Sequence, residues 1–162
     1  MEVWQNADGI FLGQRKYEVE ILKKFGILDH KAIATNMASN LKLLCDASSV
    51  SIDATMYWQM IGSLMYLTNT RLDICFAVNT LSQFLTDLRH VHLIVGKHIL
   101  RYLKGTVDYG LKYDANKKIN LEGYFDSNWV GSAIDRKSTS GCCFSMKSGV
   151  ISWLERSNPV WH

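Results

Sequence analysis

Hydrophobic and polar positions along this chain change period once, near residue 105. Before that point the spacing is mostly helical, and after it apolar positions alternate. At the start, Val3-Trp4 and Ile10-Phe11-Leu12 flank Gln5-Asn6-Ala7-Asp8-Gly9. Asp-Gly between apolar runs predicts a hairpin turn, because glycine takes a positive φ without a side-chain clash. A two-stranded hairpin is marginal alone, so this one is expected to join a larger sheet. Over 14–25, Tyr17, Ile21, Leu22 and Phe25 share one helical face, and Gly26 stands where a left-handed cap belongs. Residues 29–52 are polar and read as a connection. The stretch 54–68 is apolar nearly all round, which predicts a buried helix. Arg71-Leu72-Asp73 opens another helix, with Ile74, Ala77, Val78, Leu81, Phe84 and Leu85 at helical spacing. A further helix over 89–104 puts Val91, Ile94, Val95, Ile99, Tyr102 and Leu103 on one side, and Gly105 ends it.

Strand candidates follow at period two: Gly110–Tyr113, Ile119–Phe125, Gly141–Met146 and Val150–Trp153, with a hairpin turn at Lys147-Ser148-Gly149. The predicted fold class is α+β: an N-terminal β-hairpin, a helical lobe, then an antiparallel β-sheet.

With 48% hydrophobic and 20% charged residues among 162, most of the chain is expected to fold. One proline and scattered glycines argue against a low-complexity linker. The first residues lack the basic start and apolar core of a signal peptide, and the run Met60–Thr68 is too short to span a bilayer. The expectation is an intracellular chain, in cytoplasm or nucleus, with no membrane partner. Cys45, Cys75, Cys142 and Cys143 form no C-x-x-C pair and read as reduced, structural thiols.

Net charge is only +3, but residues 89–118 hold seven Lys or Arg, including Lys117 and Lys118, against two Asp, a local +5. Lys97, Arg101 and Lys104 recur at i, i+4 and i+7. They form either a solvated helix face or a stripe able to neutralise about three phosphates of a DNA or RNA–DNA duplex, independent of sequence. His90, His92 and His98 stand beside the stripe without a metal-ligand set, and the five tryptophans do not interleave with basic residues as base-stacking platforms would.

Several segments together carry a resemblance: Gly9-Ile-Phe-Leu-Gly-Gln-Arg-Lys-Tyr17, Leu22-Lys-Lys-Phe-Gly26, Ile61-Gly-Ser-Leu-Met-Tyr-Leu-Thr68, Thr70-Arg-Leu-Asp-Ile74, Ile99-Leu-Arg-Tyr-Leu-Lys-Gly-Thr106, Gly123-Tyr-Phe-Asp-Ser-Asn-Trp129, Asp135-Arg-Lys-Ser-Thr-Ser-Gly141 and Val150-Ile-Ser-Trp153. In this order they resemble the C-terminal part of the Pol polyprotein of plant copia-type LTR retrotransposons. The resemblance implies that 1–13 ends a reverse-transcriptase palm, 14–106 forms a thumb and connection, and 107–162 begins a truncated RNase H-like domain.

The same resemblance sets expectations for chemistry. The family polymerises DNA with Mg²⁺ held by a Tyr-x-Asp-Asp hairpin, and no adjacent Asp-Asp pair occurs in this sequence. Asp126 matches the family's first RNase H aspartate and is the one candidate metal ligand. Asn128 stands where the family has a second aspartate, and Asp135 is read as structural. Two-metal chemistry needs clustered carboxylates, so a catalytically inactive fragment that needs no cofactor is expected, with weak duplex binding as the alternative. Leu72 and Leu88 at family prolines, Trp58 at a family arginine, and Asn128 each fit single transitions in a decaying element, whereas Asn36 at another family proline does not. The tail from Arg156 to His162 reads as the product of a one-base deletion. A sheet lacking covering helices would expose an edge and favour self-association.

Overall fold

The computed structural model describes residues 1–37, 53–116, 120–128, 137–146 and 148–159. Cys45, Lys117, Lys118, Trp129, Asp135, Lys147 of the expected turn, residues 38–52 of the polar connection and the tail 160–162 lie outside the described residues. The chain forms two compact units, the first made of Met1–Glu2 and Leu12–Gly110, the second of Val3–Phe11 and Leu111–His162.

The first unit is helical. Helix α1, Arg15–Lys24, buries Ile21 and Leu22. It ends as its spacing predicts: Gly26 has φ 65°, and the Gly26 and Ile27 amides donate to Lys23 and Leu22 carbonyls. Helix α2, Ala54–Leu67, starts at Asp53, whose side chain accepts from the Met56 amide at 3.1 Å. The expectation that α2 is buried all round is corrected. It turns Tyr57, Met60, Ile61, Leu64 and Leu67 inward, while Trp58, Met65 and Tyr66 are exposed. The helix carries no charged residue, so composition hid a one-sided stripe that the 3.6-residue period still encodes.

The expected helix from Arg71 begins as a 3-10 turn, Leu72–Ile74, and continues as α3, Cys75–Ser82. Helix α4, His90–Lys104, buries His92, Val95, Gly96, Ile99, Leu100 and Leu103. These faces meet in one core, with Leu88 packed against its margin. The buried Tyr57 hydroxyl donates to the Leu81 carbonyl at 2.9 Å, so its polar tip does not stand orphaned in that core.

The second unit is built of strands. Strands β1, Glu2–Asn6, and β2, Gly9–Gly13, form the expected hairpin and join β3, Leu111–Asp114, in the order β1-β2-β3. The Asn6 side-chain oxygen accepts from the Asp8 and Gly9 amides, both at 3.0 Å, so Asn6 shapes the turn. Gly9 has φ 150° and opens β2, and a Cβ there would overlap the Tyr113 carbonyl oxygen. Strands β4, Leu121–Asn128, β5, Lys137–Met146, and β6, Gly149–Pro159, make a second, antiparallel sheet in that order. The register pairs Leu121 with Met146 and Asp126 with Gly141. The pairing steps from Phe144–Ser152 to Ser145–Val150, leaving Ile151 of β6 as the extra residue at this irregularity. Tyr113 donates its hydroxyl to the Val150 carbonyl, and Ser148 accepts from the Asp114 amide at 2.7 Å, tying β3 to the β5-β6 end. Strand β4 lies at a sheet edge, with Leu121, Tyr124 and Phe125 exposed, Phe125 by 76%.

Candidate functional site

Two places in the fold gather chemistry-bearing side chains, and the sequence pointed to only one. The first is the basic stripe on α4. Its helical spacing places Lys97, Arg101 and Lys104 away from the buried Ile99–Leu103 face, but two of the three are not free. The Arg101 Nε donates to the Lys31 carbonyl at 2.8 Å, and the Lys104 Nζ donates to the Leu28 and His30 carbonyls at 2.5 and 2.6 Å. Along the same line the His98 Nε2 lies 2.9 Å from the Thr35 carbonyl, which only accepts, so this nitrogen carries the hydrogen. The Ile33 amide in turn donates to the Arg101 carbonyl at 3.4 Å. Residues 28–35 therefore form a strap along α4, held by carbonyl oxygens that meet the cations expected to face phosphates. Lys97 is exposed. Gly105 serves the strap as well: it keeps a right-handed φ of −79°, and a Cβ there would press on Ala32 at 3.3 Å.

The strap yields a prediction. Lys104→Ala removes two charge-assisted bonds and is expected to raise hydrogen exchange at strap amides about five- to tenfold, with the helical core unchanged. Unchanged exchange at the Ile33 amide would contradict it.

His92 belongs to a different structure from the stripe. It is fully buried, its Nδ1 accepts from the Arg89 amide at 3.0 Å, and its ring stacks on Phe84 at 4.1 Å between centroids. It closes the first turn of α4 as part of a capping box.

The second place is a buried ionic cluster around Arg71. Arg71 is 1% exposed and reaches three elements. Its Nε and Nη2 form a fork on Asp73, at 3.0 and 2.7 Å. Its Nη1 donates to both Glu18 oxygens at 3.0 and 3.1 Å and to the Thr106 carbonyl at 3.0 Å. The Thr106 hydroxyl lies 2.6 Å from Nη2, and the Tyr102 hydroxyl donates to Asp73 at 2.7 Å. The guanidinium also lies over the Tyr102 and Tyr109 rings. Nearby, Thr70 donates to the Gln14 side chain at 2.9 Å.

One cation thus serves two carboxylates. Burial pushes the Glu18 carboxyl up to about 7 against the pull of Arg71, with Asp73 and Asp108 adding to the rise. Burial would also raise Asp73, but bonds from Arg71 and Tyr102 outweigh it and hold that carboxyl below its ordinary range. For Arg71, burial opposes the charge, and the bonds to Asp73 and Glu18 overcome it, raising its pKa further. In the sequence, Arg71 and Asp73 stand within Thr70-Arg71-Leu72-Asp73-Ile74 at the start of a helix, with no further role legible there. An arginine and an aspartate two apart at a helix start, between apolar helices, were the available signal.

Asp126 stands on β4 opposite Gly141. Magnesium needs several oxygen ligands converging on one point. Among the described residues no group of three or more His, Cys, Asp or Glu could hold a metal ion. Among the described residues, no helix is long and apolar enough to cross a membrane.

Comparison with known proteins finds relatives along nearly the whole chain. An uncharacterized mitochondrial protein of Arabidopsis thaliana is 35% identical over 161 residues, covering 99% of this chain and 66% of that protein. The retrovirus-related Pol polyprotein from transposon RE2 of the same plant is 37% identical over 156 residues, 96% of this chain and 11% of the polyprotein. The corresponding polyprotein from transposon TNT 1-94 of Nicotiana tabacum is 34% identical over 154 residues, 91% of this chain and 12% of its own length. The chain thus spans less than two thirds of each of these relatives. No family model and no solved structure matches it. Identity of this order along nearly the whole chain makes it a homologue of the retrovirus-related Pol polyproteins of plant transposons.

Proposed function

We propose that this chain is a catalytically silent piece of a copia-type reverse transcriptase and RNase H polyprotein, in which the first unit is thumb-like and the β4-β5-β6 sheet is the start of an RNase H-like fold. The observation that carries this reading is the missing carboxylates: the sequence has no adjacent Asp-Asp pair and retains Asp126 beside Asn128. Phosphoryl transfer assisted by two metal ions requires converging carboxylates that one aspartate does not supply. Purified chain given primed RNA template, nucleotides and Mg²⁺ is expected to extend no primer; extension would overturn the reading. The exposed edge of β4 supports self-association as part of the same proposal, since a strand bearing exposed Leu121 and Phe125, paired on one side with β5 and at the edge of the described sheet, is a template for another strand.

Weak duplex binding through α4 is the second reading, favoured by exposed Lys97. The strap changes its expected strength. Three free cations predict a slope of log affinity against log salt near −3, and Lys97 alone predicts about −1, from roughly 0.9 counterions released per phosphate contact. A filter-binding titration across salt is expected to give the shallow slope. A slope near −3 that Lys97→Ala, Arg101→Ala and Lys104→Ala each reduce would show the whole stripe on phosphate.

A further inference from the structure

We propose that Glu18, Arg71 and Asp73 form a proton-operated latch: with Glu18 protonated the cluster is neutral and holds α1, and with Glu18 ionised it carries a buried negative charge that loosens α1. The geometry separates the two carboxylates. Asp73 takes the guanidinium fork through both its oxygens and also accepts from Tyr102, and its side chain is 31% exposed. Glu18, 0% exposed, receives, among the described residues, Nη1 alone from the guanidinium, and the Thr106 carbonyl shares it. Asp73 is therefore the better-solvated and better-bonded anion, and Glu18 is the group that ionises at a cost.

Among the described residues, Arg71 is the cation that pairs with Glu18. From α1, Arg15 pairs with Asp108 at 3.4 Å, and Lys16 pairs with Glu2 at 3.7 Å. From the far end of α4 and just beyond come Tyr102 and Tyr109, whose rings lie over Arg71, and Asp108, whose charge also raises the Glu18 carboxyl. Glu18 rises from 4.5 to about 7 in the fold. A carboxyl whose folded value lies above its unfolded value stabilises the fold fully below the lower value. That contribution fades as pH rises through the upper one.

The expected effect is local opening of α1 that grows by up to about tenfold per pH unit between the two values. The experiment is carboxyl-carbon NMR on the full chain from pH 4 to 9, paired with hydrogen exchange of α1 amides corrected for intrinsic base catalysis. The Glu18 carboxyl is expected to titrate near neutrality, with α1 exchange rising over the same range. Glu18→Gln is expected to hold α1 at its low-pH protection throughout. Titration of Glu18 below pH 5, or α1 exchange independent of pH in the parent chain, would overturn the latch. The parent titration decides the matter even if the variant fails to fold.

Discussion

Arg71→Met is expected to destabilise the helical unit by about 3–5 kcal/mol, because it leaves the fully buried Glu18 and the partly exposed Asp73 without their shared cation. Domains of this size hold about 5–15 kcal/mol in total, so such a loss removes a large share of the cooperative transition. The measurement is the urea midpoint of the helical signal. Arg71→Lys is not expected to rescue it, since one ammonium cannot form the Nε and Nη2 fork on Asp73 while also serving Glu18 and the Thr106 carbonyl. Adding Glu18→Gln to Arg71→Met is expected to recover part of the loss. The double variant then measures the coupling directly. A midpoint unmoved by Arg71→Met would mean that the cluster does not hold the unit together.

Gly9→Ala is expected to cost the β1-β2-β3 sheet about 3 kcal/mol, combining an unfavourable positive φ with a forced shift of neighbouring backbone. The obstacle is the Tyr113 carbonyl, part of strand β3, so no side-chain rotation relieves it. Because the Ala115 amide donates to the Asp8 carbonyl at 2.7 Å beside this point, its protection reports the pairing. Loss of protection at Ala115 with the helical core intact is the expected pattern of hydrogen exchange. Unchanged protection would show that the sheet accommodates a side chain at position 9.

Much of the helical unit was legible because its elements are periodic and its ends carry ordinary punctuation. Gly26 and the stripe of α4 are examples: each follows from local spacing. Gly9 was also singled out, but for a different physical reason. Sequence placed it inside the turn, whereas the turn residues are Ala7 and Asp8, and Gly9 begins β2 where only hydrogen fits against Tyr113. Such a close approach depends on a strand more than a hundred residues away and leaves no local mark.

The roles of the cations were the least legible part. Arg101 and Lys104 share a helix face in any sequence reading, but whether they meet phosphate or main-chain carbonyls depends on where residues 28–35 run. Arg71 was hidden differently. A charge in a short polar interval reads as a solvent-facing residue, and its burial follows from three separated partners, Glu18, Asp73 and Thr106, converging on it.

The proposed catalytic silence turns on Asp126, which the sequence keeps beside Asn128. The direct test is incubation of purified full chain with an RNA–DNA hybrid and Mg²⁺, with Asp126→Asn in parallel. No cleavage above the protein-free blank, and no difference between the two chains, is the expected result. Mg²⁺-dependent cleavage that Asp126→Asn abolishes would contradict it.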